Sequence, residues 1–362
     1  MPSLAKCVAV TGLHRGENPQ SGAPVAASLR GRFPDLRIVG LSYDPMESGH
    51  YSPHDDRLDA TYLVPYPKAG PEALLDRLDT IAKKDPIDVV IPCLDSELPN
   101  FIKIRPELIK RGIRCAVPTA QAFAQRSKEN LQALCRRIDV PTPQTRASND
   151  PAKLASFVAK IGYPAFLKGR FYEAHLVHSP QELYHVFNEL MTVWGGPVLA
   201  QEMTRGEEYN VAGIGDGKGA IVGSCSIRKM LRTRTGKGFA GVVVADPALN
   251  DLASRIVDAL RWNGPFELEF VKAAGGRHML FEMNPRFPAW IGFPSQVGYN
   301  LPARLLERLL EVSPSPLRDC VPGQMFVRHS IDLVGNISDL AQLASAGERA
   351  GTTVVPESVR MS

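Results

Sequence analysis

Residues 264–286 read GPFELEFVKAAGGRHMLFEMNPR. Phe266, Leu268 and Phe270 alternate with Glu267 and Glu269, and Phe281 and Met283 alternate with Glu282 and Asn284. A period of two marks a strand with one apolar and one polar face. Gly275-Gly276 between the two runs suits a two-residue hairpin turn with positive φ. That turn sets Glu269 opposite Glu282 and Glu267 opposite Asn284. It also sets Phe270 opposite Phe281, and Leu268 opposite Met283, on the core-facing side.

Directly opposed side chains on paired strands sit roughly 5 Å apart at the β-carbons, where like charges repel. A purely structural hairpin avoids that arrangement. A divalent cation reverses the sign. Two carboxylates and an amide oxygen form a hard oxygen set of the kind magnesium takes beside a phosphate. The competing reading is two solvated carboxylates on an exposed sheet face. Pro285 ends the strand's ladder and lets Arg286 turn toward the acids. Arg286 is then either their ion-pair partner or a planar fork for a phosphate or carboxylate.

Upstream, Ser127 reads as the N-cap of a helix over 128–137. Lys128 then lies in its first turn, where the helix dipole disfavours a cation; a surface lysine is the plain reading. The run Tyr163-Pro164-Ala165-Phe166-Leu167-Lys168 is an apolar strand that delivers a lysine at its end. Burying that ammonium without an anion is costly, so an anionic partner is expected. Ser179-Pro180-Gln181-Glu182 is a capping box that opens a helix to about Met191. Strands are expected at 197–202, 208–215, 220–227 and 241–245, and a helix at 250–260. Arg228, Lys229, Arg232, Arg234 and Lys237 cluster between two strands, as a solvated turn or as an anion-binding rim.

The first 118 residues alternate strand-like runs (5–10, 37–41, 88–92) with helix-like ones (24–32, 71–84, 98–110). Such alternation implies parallel βαβ units and an α/β fold class, with ligands outside the carboxyl ends of the strands. Two loops lie there, 11–24 and 93–97. The first, TGLHRGENPQSG, lacks the spacing of a dinucleotide fingerprint. Asp95 and Glu97 in the second read either as helix-capping acids or as ligand contacts.

The whole chain is 362 residues, long enough for two or three domains. It is 44% hydrophobic and 22% charged, with 30 glycines and 30 prolines, which excludes disordered and collagen-like classes. The net charge of +4 is dispersed, so no nucleic-acid partner is expected. Apolar runs are strand-sized, so no membrane association is expected. No signal peptide is read at the N-terminus. The 6 cysteines form no CxxC, which predicts reduced thiols in a cytoplasmic protein.

Lys128, Lys168, Gln201-Glu202-Met203, Gly206-Glu207-Glu208 and Glu269…Glu282-Met283-Asn284-Pro285-Arg286 follow one another in an order that resembles the ATP-grasp superfamily. The likeness covers roughly residues 5 to 312. It looks closest to members similar to the carbamoyl-phosphate synthase large chain and to carboxylate–amine ligases. It implies an α+β ATP-grasp architecture: a pre-ATP-grasp domain with a parallel sheet (1–118), then a two-lobed ATP-grasp domain with antiparallel sheets (119–315). The small lobe would span 119–200 and the catalytic lobe 201–315. A closing strand at 324–329 and a flexible end at 345–362 would complete a C-terminal segment, 316–362.

The resemblance also implies roles. Lys128 and Lys168 would contact ATP phosphates. Gln201, Glu202 and Met203 would form the adenine hinge, and Glu208 would bind the ribose hydroxyls. Glu269, Glu282 and Asn284 would hold magnesium, with manganese as an alternative. Arg286 would steady the transferred phosphate, acting with Lys168 in catalysis. Trp290 is a packing residue by type and lies near the acceptor pocket by family position. Many members have a glycine-rich loop after the second lysine; here Gly169-Arg170-Phe171-Tyr172-Glu173-Ala174-His175 holds one glycine. Arg170 or His175 would then supply the donors. The implied activity is ATP-dependent amide formation between a small carboxylate, such as an amino acid, and an amine, through an acyl phosphate. Bicarbonate activation and a non-catalytic nucleotide-binding scaffold are the alternatives. A homodimer is common in such proteins.

Overall fold

The computed structural model describes residues 7–16, 18–51, 58–169, 174–233 and 236–351. The chain opens with β1 (Cys7–Thr11), α1 (Gly22–Arg32), β2 (Arg37–Ser42), β3 (Ala60–Leu63), α2 (Pro71–Ala82), β4 (Val89–Ile91) and α3 (Leu98–Lys110). β1 to β4 form a parallel sheet of order β3-β2-β1-β4. Its strands are buried, as a sheet covered on both faces requires. The four-residue β3 carries no alternation long enough to be predicted.

Two short helices follow, α4 (Ala120–Gln125) and α5 (Leu131–Arg137). Next come β5 (Thr145–Ser148), α6 (Pro151–Ile161), β6 (Ala165–Lys168), β7 (Ala174–Val177), α7 (Pro180–Trp194) and β8 (Val198–Glu202). These four strands form an antiparallel sheet of order β5-β8-β6-β7. Ser179 caps α7 as expected, accepting from the Glu182 N–H at 3.2 Å. The Glu182 carboxylate reaches back to the His178 N–H at 2.7 Å, one residue before the cap.

The third sheet is the largest. β9 (Gly206–Asp216), β10 (Ile221–Arg232) and β11 (Gly238–Val243) precede α8 (Pro247–Leu260), β12 (Asn263–Ala273) and β13 (His278–Asn284). Then follow α9 (Gly292–Gln296), α10 (Leu301–Leu309), β14 (Met325–Val327), α11 (Ile337–Ala346) and β15 (Glu348–Ala350). The strand order is β13-β12-β9-β10-β11-β14. One face buries Phe266, Leu268, Phe270, Leu280 and Met283 under α8. The opposite face carries the polar residues of the hairpin. Gly206 opens β9 where a Cβ would lie 1.9 Å from the Lys272 carbonyl oxygen, so no larger residue fits the pairing.

β14 is the expected closing strand. The expectation of a flexible end from 345 is corrected over the described part: β15 pairs antiparallel with β3 and extends the first sheet. Its anchor is Arg349, buried, which donates to the His50 carbonyl at 2.7 Å and pairs with Asp339 at 3.0 Å. A three-residue strand fixed by one buried arginine leaves no periodic signal in sequence. Among the described residues no helix is long and apolar enough to cross a membrane.

Candidate active site

The hairpin has the expected carboxylate register for an unexpected reason. Glu269 faces Glu282, Leu268 faces Met283 and Glu267 faces Asn284. The turn has three residues: the Ala273 N–H donates to the Arg277 carbonyl at 3.0 Å, and Gly276 takes a φ of 78°. That moves the register by one, so Phe270 faces Leu280, not Phe281. A bulge at Phe281 restores it. The displaced Phe281 ring turns to the Lys168 ammonium, 5.5 Å from its centroid, with Phe166 at 5.7 Å on another side.

Glu267 is the hub that sequence reasoning left without a role. Its Oε1 accepts from Asn210 Nδ2 at 2.5 Å and Trp290 Nε1 at 3.0 Å. Its Oε2 accepts from Asn284 Nδ2 and Arg286 Nη1, both at 3.1 Å. The polar-face alternation with Glu269 was the available signal. Four donors fix this buried carboxylate, and through it the side chains of Asn284, Arg286 and Trp290. Asn284 Nδ2 donates also to Glu269 Oε1 at 2.9 Å.

Glu269 and Glu282 stand differently. Lys229 Nζ lies 2.5 Å from Glu269 Oε2 and 3.2 Å from Glu208 Oε2, and it is almost fully buried. Burial pushes Glu269 above the usual carboxylate range; Glu267 and Glu282 add to the rise and Lys229 opposes it. Glu282 moves the other way. Burial would raise it, but Lys128, Lys168, Arg286 and Lys229 together hold it down at about 2. Lys128 Nζ is 3.6 Å from Glu282 Oε1.

Lys128 is not in the first turn of a helix as expected. The Ser127 carbonyl accepts from the Asn130 and Leu131 N–H groups, which closes a turn first, and α5 begins at Leu131. Lys168, at the end of β6, is buried as expected. Burial lowers it to about 8; Glu282 opposes the fall and Lys128 adds to it.

Arg286 joins the first sheet's loops to the hairpin. Its Nε lies 3.1 Å from Asp95 Oδ1 and its Nη1 3.1 Å from Glu267 Oε2. Arg126 reaches Asp95 at 3.6 Å and lies over the Phe123 ring at 4.3 Å. Asp95 thus faces the hairpin, whereas Glu97 occupies the N-cap position of α3 but turns its side chain away from that helix's N–H groups. Its buried carboxylate accepts from Thr11 Oγ1, from Tyr43 Oη at 2.5 Å, and from the Cys93 and Leu94 N–H groups at 2.8 and 3.0 Å. Those bonds tie together the two loops that present Asp95.

Gln201 and Glu202 end β8. Gln201 donates to Thr145 Oγ1 at 3.0 Å, and the Glu202 carboxylate accepts from the Gln144 N–H at 3.1 Å. Met203 follows them, half-buried, on the path to β9. Glu208 is held by Lys229 and Arg232. Arg170 lies outside the described residues, as do 171–173 and Arg234; His175 sits on β7, paired with Leu167.

Among the described residues no three His, Cys, Asp or Glu side chains gather as metal ligands. The candidate set is therefore two carboxylates and the Asn284 amide oxygen. It fits a hard divalent cation by chemistry: all donors are oxygens, and two opposed carboxylates in one buried place are what such an ion stabilises.

No family model matches the chain. Solved structures do resemble it. The biotin carboxylase domain of 2-oxoglutarate carboxylase from Hydrogenobacter thermophilus, solved with MgADP and bicarbonate, matches at a TM-score of 0.67 and 15% identity, over 89% of this chain and 73% of that one. Carboxyaminoimidazole ribonucleotide synthase from Aspergillus clavatus, complexed with ATP, matches at 0.66 and 18%, over 90% and 81%. The L-amino acid ligase of Bacillus licheniformis matches at 0.60 and 17%, over 85% and 75%. The chain has the ATP-grasp fold. Within the ATP-grasp fold, the antiparallel sheet of β5 to β8 carries Lys168, Gln201 and Glu202, and the large sheet carries the hairpin acids.

Proposed function

We propose that this chain is an ATP- and magnesium-dependent carboxylate–amine ligase. The observation that carries the proposal is the convergence of Lys128, Lys168 and Arg286 on Glu282, beside Glu269 and Asn284. Three cations focused on one face of a hairpin suit a triphosphate and the charge that moves during phosphoryl transfer. The neighbours' nucleotide complexes support the same reading.

In this proposal Lys128 and Lys168 bind the phosphates, Gln201, Glu202 and Met203 border the adenine, and Glu208 meets the ribose. Glu269, Glu282 and Asn284 would hold magnesium, which would supply charge neutralisation to the phosphates. Arg286, fixed by Asp95 and Glu267, aligns the acid's carboxylate. One carboxylate oxygen bonds to the γ-phosphorus as ADP leaves. The amine nitrogen then bonds to the acyl carbon, phosphate departs, and the nitrogen loses its proton. Charge positioning dominates both steps, so no nucleophilic side chain is required.

The test is ADP release by the purified chain with pooled small carboxylates crossed against pooled amines, with a parallel arm of bicarbonate alone. The expected result is ADP formation that needs one acid and one amine together. Turnover with bicarbonate alone, or none with any pair despite nucleotide binding, overturns it.

A further inference from the structure

We infer that the acid accepted at this site carries a second anionic group, seated between Lys237 and Arg328 beside Trp290. This rests on the ligase reading and narrows its acid substrate.

The basic cluster of 228–237 is not uniform. Arg228 pairs with Glu207 at 2.5 Å, Lys229 with Glu208 and Glu269, and Arg232 with Glu208. Lys237 differs. Its Nζ donates to the Pro19 carbonyl at 2.8 Å, and among the described residues no carboxylate lies within ion-pair distance. Arg328 is similar. Its Nη2 donates to the Ala289 carbonyl at 3.0 Å, and its Nη1 is buried without a partner among the described residues. Desolvated cations without a counter-charge are costly to keep, and an anionic ligand removes the cost.

Both cations lie on segments that pack against Trp290, and Arg328 lines one cavity with it. A Cβ on Gly238, next to Lys237, would lie 3.9 Å from Trp290 Cδ1. The Arg328 N–H donates to the Phe239 carbonyl at 2.9 Å, and Phe326, two residues before Arg328, stacks on the indole at 6.5 Å and 14°. The indole N–H is fixed on Glu267, which also holds Arg286. Trp290 is therefore held between Glu267, which also fixes Arg286, and the segments that carry Lys237 and Arg328. Burial lowers Lys237 to about 8; Arg286 and Arg328 add to the fall, while Glu267 and Asp95 oppose it. An acid that presents one carboxylate to Arg286 and a second anion to Lys237 and Arg328 matches this layout. A dicarboxylic acid and a phosphorylated carboxylic acid share that chemistry.

The experiment titrates the full chain, saturated with magnesium and a non-hydrolysable ATP analogue, with succinate, glutarate and phosphoglycolate against butyrate and valerate. Tryptophan fluorescence and thermal shift are the readouts. At least one dianion should bind 10-fold or more tighter than the monoacids. Arg328→Met and Lys237→Met should each erase most of that preference, leave monoacid binding in place, and keep the nucleotide-dependent thermal shift that reports a folded protein. Preference for phosphoglycolate assigns a phosphate to the second seat; preference for the diacids assigns a carboxylate. Equal binding of mono- and dianions, or a preference that survives both substitutions, overturns the inference. Absence of any nucleotide shift in the native chain overturns the ligase reading instead, and the same titration without nucleotide then still reports on the cation pair.

Discussion

Two buried carboxylates, Glu97 and Glu282, show how environment separates scaffold from site. Glu97 is surrounded by hydroxyl and amide donors, and among the described residues no ion pair reaches it. Burial therefore dominates and pushes it up to about 7, against those donors. Glu282 has cations around it, and their fields overcome burial. A carboxylate saturated by neutral donors is used up in holding loops together. One opposed by cations that can reach other anions remains available for chemistry.

The largest expected effect tests the available side. Glu282→Gln should cut turnover by about 100-fold or more, because the charge that organises the cations is lost. Its far-ultraviolet circular dichroism should be unchanged; turnover near the native level would equate Glu282 with Glu97.

Glu97→Leu should do the reverse. It strands the hydroxyl and amide donors of four residues, at a cost of about 3 kcal/mol or more in urea unfolding. Turnover per folded molecule should fall less than in Glu282→Gln. A variant as stable as the native chain would deny Glu97 its scaffold role.

The same contrast predicts opposite pH windows. Glu97, raised in the folded state, contributes stability at acid pH that is lost as pH rises from its unfolded value of 4.5 through about 7. Glu282, depressed, contributes stability present above 4.5 and lost as pH falls toward about 2. Unfolding free energies of the native chain, Glu97→Gln and Glu282→Gln between pH 3 and 8 measure this. Glu97→Gln should diverge from the native chain at the neutral end and Glu282→Gln at the acid end.

A smaller effect concerns Lys168. With its pKa near 8, it loses charge as pH rises through that value. Magnesium–nucleotide affinity should decline there, with proton uptake on binding, visible by calorimetry in buffers of different ionisation enthalpy. No proton uptake between pH 8 and 9 would remove Lys168 from the phosphate contacts.

Much of this was legible in the sequence. The acid register of the hairpin, the buried Lys168 and the βαβ start follow from alternation and from the cost of burying charge. The register survived because a three-residue turn and a bulge cancel, and neither leaves a mark in sequence. Glu267 was missed because a carboxylate's donors come from distant elements: Asn210 on β9 and Trp290 before α9. The donors of the Glu97 side chain were out of reach for the same reason, since Thr11 and Tyr43 meet it across the sheet. The return of β15 to β3 depends on tertiary contacts of Arg349 that local pattern does not carry.

Calorimetric titration of magnesium–ATP into the native chain, Lys168→Ala and Glu282→Ala tests the central claim most directly. The account predicts saturable, magnesium-dependent binding to the native chain that weakens at least 10-fold in both variants. Native binding that is absent, or that neither substitution changes, would contradict it.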